Sequence, residues 1–168
     1  MAILTAGVAL LPSCANDDGQ KKSTEKGIPV TAADKESIAA LCATIIPSTT
    51  GFPGAPELKS HEFLLTMLND CTAPDAQQKF MQGLSSFDKW ARSRFGNSFH
   101  KLKTSDQQSL ITELEAKKEN PGEDLLNFYQ VVKGYTLQSF TSSKQYMLDI
   151  RDYKMIPGSH FRGCVKIA

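Results

Sequence analysis

Residues 128–164 read FYQVVKGYTLQSFTSSKQYMLDIRDYKMIPGSHFRGC. The start of this stretch belongs to a predicted helix, Glu123–Phe140, that is apolar on nearly every side. Such a helix has to be covered all round. It is therefore either the central helix of its domain or a helix that another chain helps to cover. The remainder carries turn formers and spaced aromatic residues and predicts an extended tail over residues 151–168.

Four more helices are predicted upstream, from apolar residues that recur three and four positions apart. Thr31 is a good N-cap with Asp34 at the capping-box position, and Pro47 ends the first helix. The apolar stripe of that helix includes Cys42. The other predicted helices are Glu57–Asp70, Asp75–Phe95 closed by Gly96, a fourth capped by Thr104, and a short sixth over Ser143–Ile150. We therefore predict one all-α domain of five to six helices over residues 31–168.

The composition is that of an ordinary globular domain. The chain has 168 residues, of which 40% are hydrophobic and 22% are charged, and its formal net charge is +1. A chain of this length suits a single domain with a sizeable core. Nucleic-acid binding would need a basic surface to displace counterions from phosphates, so the near-neutral charge argues against it.

The first 14 residues predict an export signal. The apolar run Ala2–Leu11 is too short to span a bilayer and leads into Leu11-Pro12-Ser13-Cys14. This pattern is typical of a bacterial lipoprotein signal, in which Cys14 is acylated and anchors the chain to the membrane. Residues 15–30 are then a flexible polar tether, and the domain lies in the periplasm or elsewhere in the cell envelope. The alternative is a frayed apolar terminus with an incidental cysteine.

Three cysteines remain if Cys14 carries lipid. Cys42 is better interpreted as a small buried residue than as a disulfide partner of Cys71, because antiparallel packing of their helices would leave them roughly 14 Å apart. Cys71 and Cys164 are predicted to lie outside helices. They can pair with each other, either can bridge to a partner chain, or both can remain free thiols.

No set of residues has the pattern of a catalytic centre. His61, His100 and His160 are far apart, and none has a second histidine or cysteine at metal-ligand spacing. The sequence lacks the motifs of haem attachment, dinucleotide binding and hydrolysis. We therefore predict no catalytic residue, no metal site and no cofactor site in this chain.

Several short motifs resemble the gluconate 2-dehydrogenase subunit 3 family. They are A-x-I-I-P-x-T (residues 43–49), M-L-x-D-C (67–71), A-R-x-R-F-G (91–96), V-K-G-Y-T-L-x-x-F-T-S (132–142), I-P-G (156–158) and F-x-G-C (161–164). The similarity runs from about Thr31 to the end of the chain. It implies a small, non-catalytic subunit of a membrane-associated sugar or sugar-acid dehydrogenase, a group that includes glucoside 3-dehydrogenases.

The resemblance also implies partners. The catalytic subunit would be a large oxidoreductase of the glucose-methanol-choline type that binds FAD, and a cytochrome c often passes the electrons onward. Members of the family commonly carry a twin-arginine export signal, whereas no Arg-Arg pair precedes the apolar run here. We therefore expect this chain to stabilise and anchor the flavoprotein.

The last third of the chain is expected to hold the docking element, because interface anchors are typically aromatic. The candidates are Tyr129, Tyr135, Phe140, Tyr146, Tyr153, Pro157, Gly158 and Phe161. The alternative is that most of the aromatic side chains fill the domain's own core, an interpretation favoured most for Phe128 and Phe140. Two rival functions are a stand-alone lipoprotein binding module and an enzyme that acts alone.

Overall fold

The computed structural model describes residues 27–116 and 122–154. The α-helices are α1 (Ala32–Ile45), α2 (Ser60–Cys71), α3 (Pro74–Phe95), α4 (Thr104–Glu115) and α5 (Glu123–Thr141). A 3-10 turn (Phe99–Lys101) and a π turn (Tyr146–Ile150) complete the regular structure. These two ranges contain no strand, and the predicted all-α class is confirmed.

The start of α1 follows the capping chemistry of its sequence. The backbone N–H of Asp34 donates to Thr31 Oγ1 at 3.2 Å, and the backbone N–H of Thr31 donates to Asp34 Oδ2 at 3.0 Å. This capping box satisfies two backbone donors that the first turn cannot pair. Ile38, Leu41 and Cys42 then face the core, so the predicted burial of Cys42 is confirmed.

The second helix begins three residues later than predicted. The Glu57 carboxylate accepts hydrogen bonds from Ser48 Oγ at 2.5 Å and from the Gly54 N–H at 2.9 Å, so it closes the preceding loop. Lys59 has a φ of 51°, in the left-handed region, and this residue turns the chain into α2. Glu57 is therefore a loop residue and Ser60 is the first residue of the helix.

The cap of the fourth helix also differs from the prediction. Thr104 is the first residue of α4, the N-cap is Lys103, and no side chain caps this helix. After α5, Lys144 and Gln145 are helical and Tyr146–Ile150 form a π turn, which together correspond to the predicted short helix over Ser143–Ile150. The folded part also starts earlier than predicted, because Ile28 and Val30 pack partly buried against the core, within the segment predicted as tether.

α5 is the central helix of the fold. It packs against α1, α2 and most extensively α3. Ser60 contacts Ser139 and Phe63 contacts Tyr135, so α2 runs antiparallel to the C-terminal half of α5. Phe80 contacts Phe128 on the N-terminal half, so α3 follows α2 along the same helix. The predicted helix Glu123–Phe140, apolar on nearly every side, is therefore the central helix of its own domain, which was the first of its two interpretations.

Phe128 joins α3 and α5 through aromatic contacts. Its ring centroid lies 5.0 Å from that of Phe80 and 5.3 Å from that of Phe87. Phe87 also packs against Phe99 of the 3-10 turn at 5.0 Å. Tilted ring pairs at these distances add to the stabilisation from burying their area. The preference for Phe128 as a core residue is confirmed, since the side chain is 1% exposed.

The close approach of α3 to α5 depends on a glycine. A Cβ added at Gly83 would lie 2.5 Å from the carbonyl oxygen of Asp124 and 2.5 Å from Phe128 Cβ. Distances this short are not tolerated between such atoms, so any larger residue would push the helices apart. Gly83 therefore sets the spacing of the helix pair that supplies more of the buried apolar core than any other pair.

We predict that Gly83→Ala lowers the free energy of unfolding by about 1–3 kcal/mol, the usual cost of overpacking a core. Gly134→Ala is the matched control, because Gly134 also lies inside a helix but a Cβ added there would have no atom within 4 Å. The control should be stabilised by up to about 1 kcal/mol through helix propensity. Urea unfolding measures both, and equal stability of Gly83→Ala and the parent chain would contradict this role of Gly83.

Candidate docking surface

Large apolar side chains are exposed at the C-terminal end of the described fold. Among the described residues, five large apolar side chains are exposed. Phe95 lies at the end of α3, and the other four lie in this region: Leu137, Leu148, Ile150 and Tyr153. The exposed fraction is 43% for Leu137 and reaches 59% for Ile150. We call the four residues in this region the C-terminal apolar set. Such a concentration is a typical mark of an interaction surface.

A row of three aromatic rings holds the π turn against α5. The ring centroids of Phe52 and Phe140 are 5.4 Å apart, and those of Phe140 and Tyr146 are also 5.4 Å apart. Phe52 belongs to the loop between α1 and α2, so three parts of the chain meet at Phe140. This contact fixes the segment that carries Leu148 and Ile150, and a fixed surface loses less entropy when a partner binds.

Tyr129 does not belong to the exposed surface, and its prediction as a docking residue is wrong. Only 2% of the side chain is exposed, and the hydroxyl donates to Glu115 Oε1 at 2.6 Å. Burial, together with the neighbouring carboxylate of Glu115, raises the pKa of Tyr129 above its ordinary value. The side chain ties α4 to α5 and is unavailable to a partner.

The other predicted docking residues differ in their exposure. Tyr135, Phe140 and Tyr146 are partly buried, while 51% of Tyr153 is exposed. Pro157, Gly158 and Phe161 lie outside the described residues, as do Cys14 and Cys164. Sequence reasoning missed Leu137, Leu148 and Ile150, because it chose aromatic residues and turn formers of the tail and no aliphatic side chain. The signal for Leu137 was its position off the buried stripe of α5.

A polar contact on α4 and α5 surrounds the hydroxyl of Tyr129. Lys133 Nζ lies 2.5 Å from Glu115 Oε1 and 5.7 Å from the centroid of the Tyr129 ring. Hydrogen bonds from Lys133, and then from Tyr129, hold the pKa of Glu115 below its ordinary value of 4.5. The three side chains satisfy one another at the edge of the core and offer no reactive group.

An apolar groove lies on α5 between the end of α2 and the start of α3. It has a volume of about 310 Å³ and is lined by residues of all three helices, including Leu68, Ala76, Phe80 and Val131. Lys79 is the only charged residue of its lining. We call it the junction groove. Apolar lining of this kind suits an apolar segment better than a sugar, which requires several polar partners.

The junction groove continues towards the C-terminal end of α5. A shallower depression of about 300 Å³ shares Gln130, Val131 and Tyr135 with it and extends to Gly134 and Gln138. The junction groove and the shallow depression together border α5 from Asn127 to Gln138. The far end of the depression approaches the level of Leu137, the first member of the C-terminal apolar set.

The described cysteines are not paired with each other, and no described cluster of cysteines and histidines is placed to hold a metal ion. Cys42 and Cys71 are not bonded to each other, as predicted. Burial raises the pKa of the Cys42 thiol to about 11, which keeps it protonated and unreactive. His100 is paired with Ser37 and Glu36. Within residues 27–116 and 122–154, no group of three or more His, Cys, Asp or Glu side chains is placed to hold a metal ion.

The position of Cys71 leaves its pairing open. It is exposed and is the last residue of α2, where we predicted a residue outside the helix. Its pairing with Cys164 stays a prediction, because Cys164 lies outside the described residues. In the described part of the chain, no helix is both long and apolar enough to span a bilayer.

Comparison with known proteins identifies a family. The family model described as gluconate 2-dehydrogenase subunit 3 matches residues 32–158. The matched range includes all five α-helices and the C-terminal apolar set. Such a subunit belongs to a multi-subunit dehydrogenase, which implies a larger catalytic partner. No curated protein and no solved structure gives a significant match.

We predict that Tyr129→Phe lowers the free energy of unfolding by about 1 kcal/mol, the usual net value of a lost hydrogen bond. Tyr153→Phe is the control, since that hydroxyl lies on an exposed side chain and its loss should leave stability unchanged. Urea unfolding of both variants checks this. Equal effects of the two substitutions would show that the Tyr129 hydroxyl does not join α4 to α5.

Glu115 is also expected to give the fold a small dependence on pH. A carboxyl with a lowered pKa stabilises the fold above the pKa of the unfolded chain, near 4.5, and loses this contribution as the pH falls through the folded value. Because 47% of the side chain is exposed, solvent screening should keep the contribution to about 1 kcal/mol or less. The stability difference between the parent chain and Glu115→Gln should therefore be largest near neutral pH and should shrink below pH ~4.5. A difference that stays constant from pH 7 to pH 3 would rule out this role.

Proposed function

This chain belongs to the gluconate 2-dehydrogenase subunit 3 family, and we propose that it is the small subunit of an FAD-dependent sugar, sugar-acid or glycoside dehydrogenase in the cell envelope. The catalytic subunit is a large flavoprotein of the glucose-methanol-choline type, which binds the FAD and carries out the oxidation. This chain stabilises that subunit and anchors it. A cytochrome c is a further candidate partner.

The observation that supports this proposal best is the exposure of the C-terminal apolar set. It occurs in a chain whose family consists of dehydrogenase subunits. Leu148, Ile150 and Tyr153 are each about half exposed. Removing apolar area from water is worth about 25 cal/mol per Å², before the costs of association are subtracted. A partner that covers these side chains therefore gains free energy that the isolated chain cannot gain. The predicted tail follows this surface in the sequence and carries Phe161.

Support for anchoring comes from the N-terminal sequence. Leu11-Pro12-Ser13-Cys14 has the order of a lipoprotein signal, and acylated Cys14 would hold the complex at the membrane. The residues that follow are mostly polar up to Gly27, and Ile28 is an apolar side chain packed against the core. A polar segment of this length would let the domain stand away from the lipid surface.

The rival function, a stand-alone binding module, rests on the junction groove. Thr72, Lys79, Asn127 and Gln130 are polar residues of the groove lining, but most of the surface that the lining exposes is apolar. A site for a small polar ligand needs several polar groups that converge on it. The groove therefore favours a protein segment over a sugar.

We predict that the double variant Leu148→Asp, Ile150→Asp weakens binding of the flavoprotein by about 100-fold or more, because two central apolar contacts become charged. Phe95→Asp is the matched control: it also charges an exposed large apolar side chain, but at the C-terminal end of α3. The tagged full-length chain is purified from its native membranes, and the absorption spectrum of the co-purified protein is recorded.

The parent chain and Phe95→Asp should each bring down a large protein with a flavin spectrum. Recovery of the parent chain alone would contradict the proposed function. Recovery of the flavoprotein at parental level with the double variant would place the docking surface elsewhere. Circular dichroism of each variant confirms that the helices are retained.

A further inference from the structure

The middle of α5 contains an exposed glycine, Gly134, that no contact within the described domain requires. Gly134 lies inside a 19-residue helix, and nothing lies within 4 Å of a Cβ built on it. Glycine inside a helix is less stable than alanine there, because it loses more backbone freedom on folding. At Gly83 on α3, the close contact with Asp124 and Phe128 explains why the position has no side chain. At Gly134, no contact with the described residues requires a glycine.

The surroundings of Gly134 are slightly concave, and the residues that line them carry no charge. It lines the shallow depression with Val131, Tyr135 and Gln138, and this depression runs into the junction groove. Leu137, about one turn further along α5, is 43% exposed. A glycine at such a place lets another backbone approach the helix closely.

We infer that an apolar segment of the catalytic subunit packs directly on the backbone of α5 at Gly134 and extends into the junction groove. The inference rests on the proposed function and extends the interface from the C-terminal apolar set along α5. The segment is apolar, because most of the surface that the groove lining exposes is apolar and Lys79 is its only charged residue. An acidic side chain on the segment would fit at the Lys79 end.

The occupant is the partner, because continuity of the surface connects Gly134 with the residues already assigned to docking. Leu137 is about one turn from Gly134, and the following turn carries Phe140, which holds the π turn with Leu148 and Ile150. A partner covering the C-terminal apolar set would therefore meet the depression next. The rival occupant is this chain's own segment 155–168, which follows the π turn in the sequence.

Substitution of Gly134 separates binding from folding. In the isolated full-length chain, Gly134→Ala and Gly134→Leu should both raise the melting temperature, because each residue favours the helix more than glycine does. In the complex, Gly134→Leu should raise the Kd for the flavoprotein about tenfold or more, since its side chain fills the space that the partner needs. Gln108→Leu, which places an equally large apolar side chain at an exposed position of α4, should leave the Kd unchanged.

The outcomes are distinct. A parental Kd for Gly134→Leu, with binding still lost in the double variant Leu148→Asp, Ile150→Asp, would overturn this inference and leave the proposed function standing. A second contrary result is a lower melting temperature of the isolated Gly134→Leu chain than of the parent chain. If truncation after Lys154 removes that difference, the occupant is the chain's own C-terminal segment, and the inference is overturned. Absence of any complex with the parent chain would contradict the proposed function itself.

Discussion

The contact between α3 and α5 at Gly83 and Phe128 is the one on which the rest of the fold depends. Because Gly83 has no side chain, the two helices approach closely enough for Phe128 to pack against both Phe80 and Phe87. Phe87 extends this packing to Phe99 and so positions the turn that leads to α4. The core is thus built outward from one face of α5.

Burial of that face has a consequence for the opposite one. Leu125, Phe128, Tyr129, Val132 and Thr136 form the buried stripe of α5. Residues off this stripe, such as Gly134 and Leu137, remain uncovered, because α2 and α3 follow one another along the helix. The same arrangement that makes α5 central therefore leaves a face of this helix bordered by the junction groove and the shallow depression beside it. An accessory subunit needs such a face, since its role is to bind a larger protein.

The local features of the fold could be predicted from neighbouring residues alone. The capping box joins Thr31 and Asp34, three positions apart, and the stripe of α5 repeats every three or four positions. The start of α2 could not be predicted in this way. The Glu57 carboxylate binds Ser48, nine residues earlier, and this contact exists only once the loop is folded.

The candidate surface was predicted less well than the fold. Residue type pointed to Tyr129 as an anchor, although its spacing of four from Leu125 and three from Val132 places it on the buried stripe. The sequence pattern indicated a short helix over Ser143–Ile150, but neither its π geometry nor the exposure of Leu148 and Ile150. The open space at Gly134 depends on how α2 and α3 lie along α5, and no local pattern contains that information.

On this account, the uncovered face of α5 and the segment after it bind the catalytic subunit. Amide hydrogen exchange, measured on the free full-length chain and on its complex with the flavoprotein, tests this most directly. Exchange is expected to slow on complex formation in residues 130–153, with no change in α4. Protection confined to α4 or to the C-terminal end of α3, with residues 130–153 unchanged, would contradict the claim.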